Sequence, residues 1–502
     1  MQKQIDFLFV NPGNRHQIYQ NLGEEFCGIE PPAYAGLFAT YVRRKGYSAA
    51  VLDAPAYGLD SEKTAEIIVQ DYSPRLMVMV VYGYQPSAST QNMTAAGEIC
   101  RFVKTTNPEI KILMLGTHSA ALPERTMKEE AVDFVCDREG PVTMLETLQA
   151  MKAGVSDFSG VPSLWWRAED NSIRANSPGE LIDNLDEEIP GIAWDLLPVK
   201  RYRAHNWHCF DHINERSPYA AIHTSLGCPY KCTFCCINAP FGKPTYRLWH
   251  PDTVIREIDL LVTRYGVKNI KFVDEMFVLN ENHVVGICDQ IIERGYDLNI
   301  WAYARVDTVK DKFLEKLKRA GFNWLALGIE SASKHVRDGA SKKFGNQDIM
   351  DTVRKIQNAG IYVIGNFIFG LPDDTLESMQ ETLGLARELN CEFANFYCAM
   401  AYPGSQLYAM AIEKGLPLPK EWHHYSQHGY ETLPLSTEHV SSADVLRFRD
   451  EAFHRYFTSE SYLNRVRDQF GENVVEHIGR MTKIHLKRKL LETSEILHVT
   501  RG

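Results

Sequence analysis

The run Gly227-Cys-Pro-Tyr-Lys-Cys-Thr-Phe-Cys-Cys236 decides how the rest of the chain is read. Its Cys228, Cys232 and Cys235 stand in a C-x3-C-x2-C spacing on one short loop. Three thiolates so placed can hold three irons of a [4Fe-4S] cluster and leave the fourth iron open to chelate a small molecule. A zinc site would call for four ligands in two separated pairs, and no second pair lies nearby in the sequence. The loop follows a strand-like run, Ala220-Ala-Ile-His-Thr-Ser-Leu226, and precedes a helix-like one from Pro251 to Tyr265. That is the setting of a catalytic loop at the carboxyl end of a barrel strand. Cys236, the adjoining thiol, reads as packing, because a fourth ligand would close the site.

The segment resembles the radical S-adenosylmethionine (SAM) enzymes. In that family the open iron binds the amino and carboxylate groups of SAM, and one-electron reduction cleaves it to methionine and a 5′-deoxyadenosyl radical. The resemblance implies that Phe234, just before the third cysteine, packs near the adenine. It also implies an external one-electron reductant such as flavodoxin or ferredoxin.

Working outward, five more strand–helix units follow, with strands expected at 269–277, 298–305, 324–331, 361–370 and 393–400. Helices stopped by Gly321 and Gly360 separate them. Six such units over 216–410 make a partial (β/α) barrel, open on one side for a bulky substrate. Polar residues at the carboxyl ends of its strands are candidates by position. They are Glu275, Arg305 and Glu330 with Ser331 beside it. The resemblance implies that Glu275 meets the SAM amino group, Arg305 its carboxylate and Glu330 its ribose hydroxyls.

Residues 1–150 alternate short branched-apolar runs (5–10, 48–52, 76–82, 110–115, 132–136) with helical patterns at 33–46, 60–71, 90–106 and 123–130. This is α/β patterning for a doubly wound parallel sheet, whose ligands bind beyond the strand carboxyl ends. The loops there carry Asn11-Pro12, Gly83-Tyr84, Gly116-Thr117-His118 and Glu139-Gly140. With Pro31-Pro32 leading into a helix and the run from Gly46 to Asp53, the layout resembles the cobalamin-binding domain placed ahead of many radical SAM barrels. The resemblance implies cobalamin contacts from Asn11, Pro12, Gly83, Tyr84, Gly116, Thr117, Glu139 and Gly140. Where such domains often carry Asp-x-His-x-x-Gly, this chain has Asn14-Arg15-His16, so a cobalt without imidazole beneath it is expected. Cys27, Cys100 and Cys136 raise an alternative, a methylthiotransferase-like enzyme with a second cluster, although Cys100 and Cys136 sit where small buried hydrophobes belong. A flavodoxin-like domain without cofactor, or a non-catalytic cobalamin-binding regulator, are further alternatives.

Residues 151–215 read as a connector holding a hairpin-like Leu164-Trp-Trp-Arg167 and three histidines, His205, His208 and His212, that suit a packed wall or substrate mouth better than a metal. Residues 411–502 read as a helical appendage with a Ser441–Ser442 cap and a basic run at 483–489, a solvated face or an attractor of a phosphorylated or nucleotide-linked substrate. The chain has 502 residues, 44% hydrophobic and 24% charged, with net charge −10 and eleven cysteines. These values fit a multidomain cytoplasmic enzyme with reduced thiols, acting on a small molecule. They speak against a nucleic-acid partner, and no run reaches the roughly 18 apolar residues of a membrane span. The expected function is cobalamin-dependent methylation of an unactivated carbon of a small biosynthetic intermediate. Ring-forming, ring-contracting or oxidative outcomes on the same architecture stay open.

Overall fold

A computed structural model describes residues 2–83 and 85–492. The branched-apolar runs at the amino terminus form β1 (Lys3–Asn11), β2 (Ala49–Asp53), β3 (Tyr72–Val81), β4 (Ile112–Gly116) and β5 (Phe134–Cys136), paired parallel in the order β2-β1-β3-β4-β5. Their side chains alternate between two buried faces, as a sheet covered on both sides requires. Phe7 and Phe9 pack under the helices Ala33–Arg44 and Pro141–Lys152, while Leu8 and Val10 pack under Ser61–Asp71 and Ala88–Thr106.

The stretch read as a connector adds to this sheet. Leu164–Arg167 (β6) and Ile173–Ala175 (β7) form a hairpin that runs antiparallel along β5, giving seven strands. The helix Pro141–Lys152 was not expected from the sequence. Its proline sits at the first turn, where the missing N–H costs nothing.

The second sheet has six strands, all parallel and in chain order: β8 (Tyr219–Ile222), β9 (Asn269–Phe272), β10 (Asn299–Arg305), β11 (Phe322–Glu330), β12 (Tyr362–Phe369) and β13 (Phe393–Cys398). Each crossover is a helix, and several end on glycine in the left-handed region, as after Pro251–Tyr265 and Glu281–Arg294. This is the expected partial barrel, with one difference. β9 stops at Phe272 rather than running to residue 277, because Asp274 turns back to accept hydrogen bonds from the Thr224 backbone N–H (2.6 Å) and hydroxyl.

After the barrel come the helices Ser442–Phe457, Glu460–Phe470 and Glu472–Thr482. Ser441 caps the first by accepting from Asp444 N–H, 3.2 Å. That helix lies on the barrel, with Phe448 edge-on to Phe369 at 5.0 Å and Arg449 donating to the Phe396 carbonyl, 2.8 Å. The chain then returns to its own beginning: Lys487 and Gln20 exchange two hydrogen bonds of 3.2 Å, backbone to side chain. No helix among the described residues is long and apolar enough to cross a membrane.

Candidate functional site

The thiol loop leaves the barrel through Gly227, whose φ of +85° and closeness to Thr245 leave no room for a Cβ. The loop is then tied down from several sides. Asn238 donates to the Tyr230 carbonyl (3.1 Å), Leu407 N–H to the Thr233 carbonyl (2.8 Å), and Cys235 N–H to the Cys232 carbonyl (3.0 Å). Cys228 is buried, and Cys232 and Cys235 are half-buried. Burial pushes the Cys228 thiol up to about 12 and Cys235 well above its ordinary value. Thiols so held are neutral until a cation compensates them, which is what the irons of a cluster would do. Three thiols on one anchored loop are donors of the kind iron takes, one for each of three irons. Cys236, likewise pushed up to about 12 by burial, lines the adjoining cavity.

That cavity has a volume of about 890 Å³, at the large end of the roughly 300–1,000 Å³ typical of ligand pockets. Phe234, Cys235, Cys236, Glu275 and Glu330 line it from the barrel. Tyr19, Cys27, Glu30, Gln85–Ala88 and Gln91 line it from the amino-terminal unit. A small pocket of about 30 Å³ includes Gly83, Thr117 and Glu275 in its wall.

Of the strand-end residues, Glu330 carries the clearest sign of function. It is buried and sits at φ +68°, a region that non-glycine residues enter at a cost of about 1–3 kcal/mol. Its carboxylate pairs with the buried Lys342 ammonium, which also donates to the Gly328 carbonyl (3.1 Å) and lies 6.0 Å from the Phe234 ring. Lys342 was not anticipated from the sequence. Ser331 has a different task, because its hydroxyl lies 3.1 Å from Thr382 Oγ1 and it is fully buried.

Glu275 and Asp274 divide as their partners dictate. Asp274 is consumed by Thr224, whose hydroxyl also meets His283 Nε2 at 2.8 Å. Glu275 lines both cavities, and burial raises its carboxyl to about 7, with Lys271 opposing and Asp274 reinforcing. Arg305 spends Nε and Nη2 on Asp307 (2.9 and 3.1 Å), stacks 4.0 Å from the Tyr230 ring, and directs Nη1 at Cys232 Sγ, 3.6 Å away. It thus touches the thiol loop itself.

The residues expected to meet cobalamin are mostly engaged with the protein itself. Asn11 donates to Asp53 Oδ1 (2.9 Å), and Tyr202 donates to the other oxygen of the same carboxylate (2.9 Å). Glu139 receives Arg247 and the Ile182 N–H. Gly116, at φ +150°, lets β4 end against the Val81 carbonyl, and Gly140, at φ +108°, abuts Leu115. Pro12 is buried. These groups shape the loops, while the cavity wall is made by Gln85, Pro86, Ser87 and Gln91, just beyond Gly83. Tyr84 lies outside the described residues. His16 is exposed and is absent from the cavity wall, whereas Tyr19, one turn on, is part of it. His118 is buried, 3.2 Å from Thr90 Oγ1 and edge-on to Trp422, and burial lowers its pKa to about 3.

The connector histidines also separate. His205 lines the cavity and meets Glu30 at 3.2 Å, and His208 is buried against the Asn299 carbonyl (3.0 Å). His212 is exposed. Glu30 pairs in turn with the buried Lys271 of β9 at 2.9 Å, joining the first unit to the barrel. Cys100 belongs to the core on one face of the first sheet and Cys136 to the core on the other, so they cannot share a second cluster.

Residues 222–386 match the family described as the radical SAM superfamily. Over 484 residues, 96% of this chain and 97% of the relative, the sequence is 30% identical to an uncharacterized methyltransferase, PH0819, of Pyrococcus horikoshii. It is 24% identical over 462 residues, 91% of this chain and 78% of the relative, to the anaerobic magnesium-protoporphyrin IX monomethyl ester cyclase of Rubrivivax gelatinosus. Among solved structures, the radical SAM methyltransferase TsrM of Kitasatospora setae, with cobalamin and a [4Fe-4S] cluster bound, is similar at a TM-score of 0.67 and 16% identity, covering 91% of this chain and 89% of that one. The thiol loop at the head of a parallel half-barrel and this relatedness along nearly the whole chain lead to one conclusion: the chain belongs to the radical SAM superfamily, among relatives named methyltransferases.

Proposed function

We propose that the chain is a cobalamin-dependent radical SAM methyltransferase that alkylates an unactivated carbon of a small-molecule substrate. One observation carries the proposal: a single cavity is walled both by the thiol loop and by the loops at the carboxyl ends of the first sheet. Two cofactors held by the two halves would face one substrate in that space. A [4Fe-4S] cluster on Cys228, Cys232 and Cys235 would supply the electron for reductive cleavage of SAM. Cobalamin against Tyr19 and 85–91 would supply a methyl group that can leave as a radical.

The chain's own residues position and shield. Phe234 offers a flat apolar face for the adenine. Glu330, fixed in orientation by Lys342, presents a carboxylate to the ribose hydroxyls. Glu275 is poised near neutrality, and its charged form would hold the SAM ammonium. Arg305, beside Cys232, holds positive charge where the SAM carboxylate would approach. Trp301, Tyr303, Phe396 and Tyr397 give the cavity aromatic walls that limit water and protect a radical from quenching.

The similarity to a cyclase supports a second reading, radical ring formation on the same scaffold. Anaerobic reconstitution tests both. The expected result is iron–sulfur and cobalamin absorbance together, with 5′-deoxyadenosine formed on reduction with SAM. A product that has gained a methyl group supports the first reading, and one that has lost hydrogen without gaining carbon supports the second. A protein that loads iron but no cobalamin would remove the methyl-carrier role.

A further inference from the structure

We propose that the outer wall of the cavity is a subsite for an anionic group, a carboxylate or phosphate, carried at one end of a substrate whose body is aromatic or otherwise apolar. The inference rests on the cavity being the reaction chamber, and it names the class of molecule that enters.

The wall is built by one stripe of the helix Ser442–Phe457. Arg447, Glu451, His454 and Arg455 all line the cavity, at the i, i+4, i+7 and i+8 positions that share a helical face. A second strand of chain completes it: His485 also lines the cavity, with its ring 4.9 Å from that of His454 and tilted by 32°. Donor accounting distinguishes these groups from the cations around them. Arg449 is spent on Phe396 and Asp450, and Asp450 is answered again by Arg488. Arg447 gives one bond to Asp444, 2.7 Å. Arg455 gives one, to Gln380 at 3.0 Å, out of the five N–H groups a guanidinium offers. The side chains of His454 and His485 make no hydrogen bond among the described residues. Two guanidinium groups and two imidazoles with donors to spare therefore stand against two carboxylates, Glu451 and Asp444, the second already engaged by Arg447. In a chain of net charge −10 such a collection is a local feature and not a background.

The same cavity also has apolar and aromatic lining, including Phe453, Ile484, Phe396, Tyr397 and Trp301. Guanidinium groups beside aromatic walls suit an amphiphilic anion, held at its polar end by charge-assisted hydrogen bonds.

The test uses the reconstituted holoenzyme and two probes alike in shape and different in charge, 1-pyrenebutyrate and 1-pyrenebutanol, titrated by fluorescence. The carboxylate should bind more tightly than the alcohol. Arg447→Glu/Arg455→Glu should weaken the carboxylate by about tenfold or more and leave the alcohol within about twofold. Arg455→Lys should keep most of the preference. Circular dichroism and iron content establish that the variants are folded and loaded. Equal affinity for the two probes in the unaltered enzyme would overturn the subsite, and so would charge reversal that weakens both alike. Loss of bound hydroxocobalamin from the charge-reversed protein would also overturn it, by assigning these cations to the cofactor's phosphodiester. The underlying reading is checked separately by 5′-deoxyadenosine formation in the unaltered enzyme: charge discrimination without SAM cleavage would sink the proposed function and leave the subsite standing.

Discussion

Replacing Lys271 with methionine isolates a carboxylate at the junction of the two halves. Lys271 and Glu30 are each at most 3% exposed, and their charged atoms lie 2.9 Å apart. At an effective dielectric of 20, unit charges at that distance attract by roughly 6 kcal/mol. Part of this returns when the ammonium no longer has to be desolvated, so breaking a buried pair costs about 3–5 kcal/mol. His205, 3.2 Å from the same carboxylate, offsets some of the loss and places the expected destabilisation near 3 kcal/mol. The pH dependence follows from Glu30. Burial pushes its carboxyl up, but Lys271 and His205 outweigh that and hold it below the usual value. In the unaltered protein the pair therefore contributes stability above the unfolded glutamate's pKa, and loses it as pH falls through the lower folded value. In Lys271→Met the burial is opposed by His205 alone, and the carboxyl rises. The variant's deficit should then be larger at pH 7.5 than at pH 5, because Glu30 takes up a proton as the pH falls. Urea unfolding followed by tryptophan fluorescence at both pH values measures this, and Glu30→Gln/Lys271→Met should recover at least half of the loss. A deficit below about 1 kcal/mol, or one independent of pH, would refute the reasoning.

Alanine at Cys228, Cys232 or Cys235 should abolish iron loading and 5′-deoxyadenosine formation, measured by iron assay and chromatography, whereas Cys236→Ala should be much milder. Glu330→Gln should weaken SAM binding by roughly 10- to 150-fold, the worth of one charge-assisted hydrogen bond, with iron content unchanged; unaltered SAM affinity would show that Glu330 does not touch it. In the cobalamin-loaded protein, the Co(II) paramagnetic resonance should lack nitrogen splitting, and His16→Ala should leave it as it was, because His16 is exposed and off the cavity wall. Splitting that vanishes in that variant would place an imidazole beneath the cobalt.

Elements with strong local signals were legible in the sequence. The five parallel strands of the first sheet, the six of the barrel and the thiol loop all come from branched-apolar runs or fixed spacing. What was missed depends on tertiary partners. Lys342 lies twelve residues beyond Glu330 in an irregular stretch, and no periodicity announces that its ammonium returns to the strand end. The early stop of β9 is set by Asp274 seeking Thr224, fifty positions away in sequence. The loops of the first sheet were found, yet their motif residues turn out to be satisfied by one another, as Asn11 is by Asp53. The cavity wall passes instead to 85–88 and Gln91, where a capless helix start gives little sequence signal.

The hydrogen bonds between Gln20 and Lys487 have a consequence for how the enzyme is made. The cavity takes side chains from Tyr19 at one end of the chain to Leu491 at the other. Both sheets can form while the polypeptide is still being synthesised, since their strands are recruited in nearly sequential order. The chamber cannot, because its wall from the helix Ser442–Phe457 to Leu491 emerges after both sheets. The return of this segment to Gln20 then follows the two sheets, and a chain cut before residue 442 would keep both sheets while lacking this wall of the cavity.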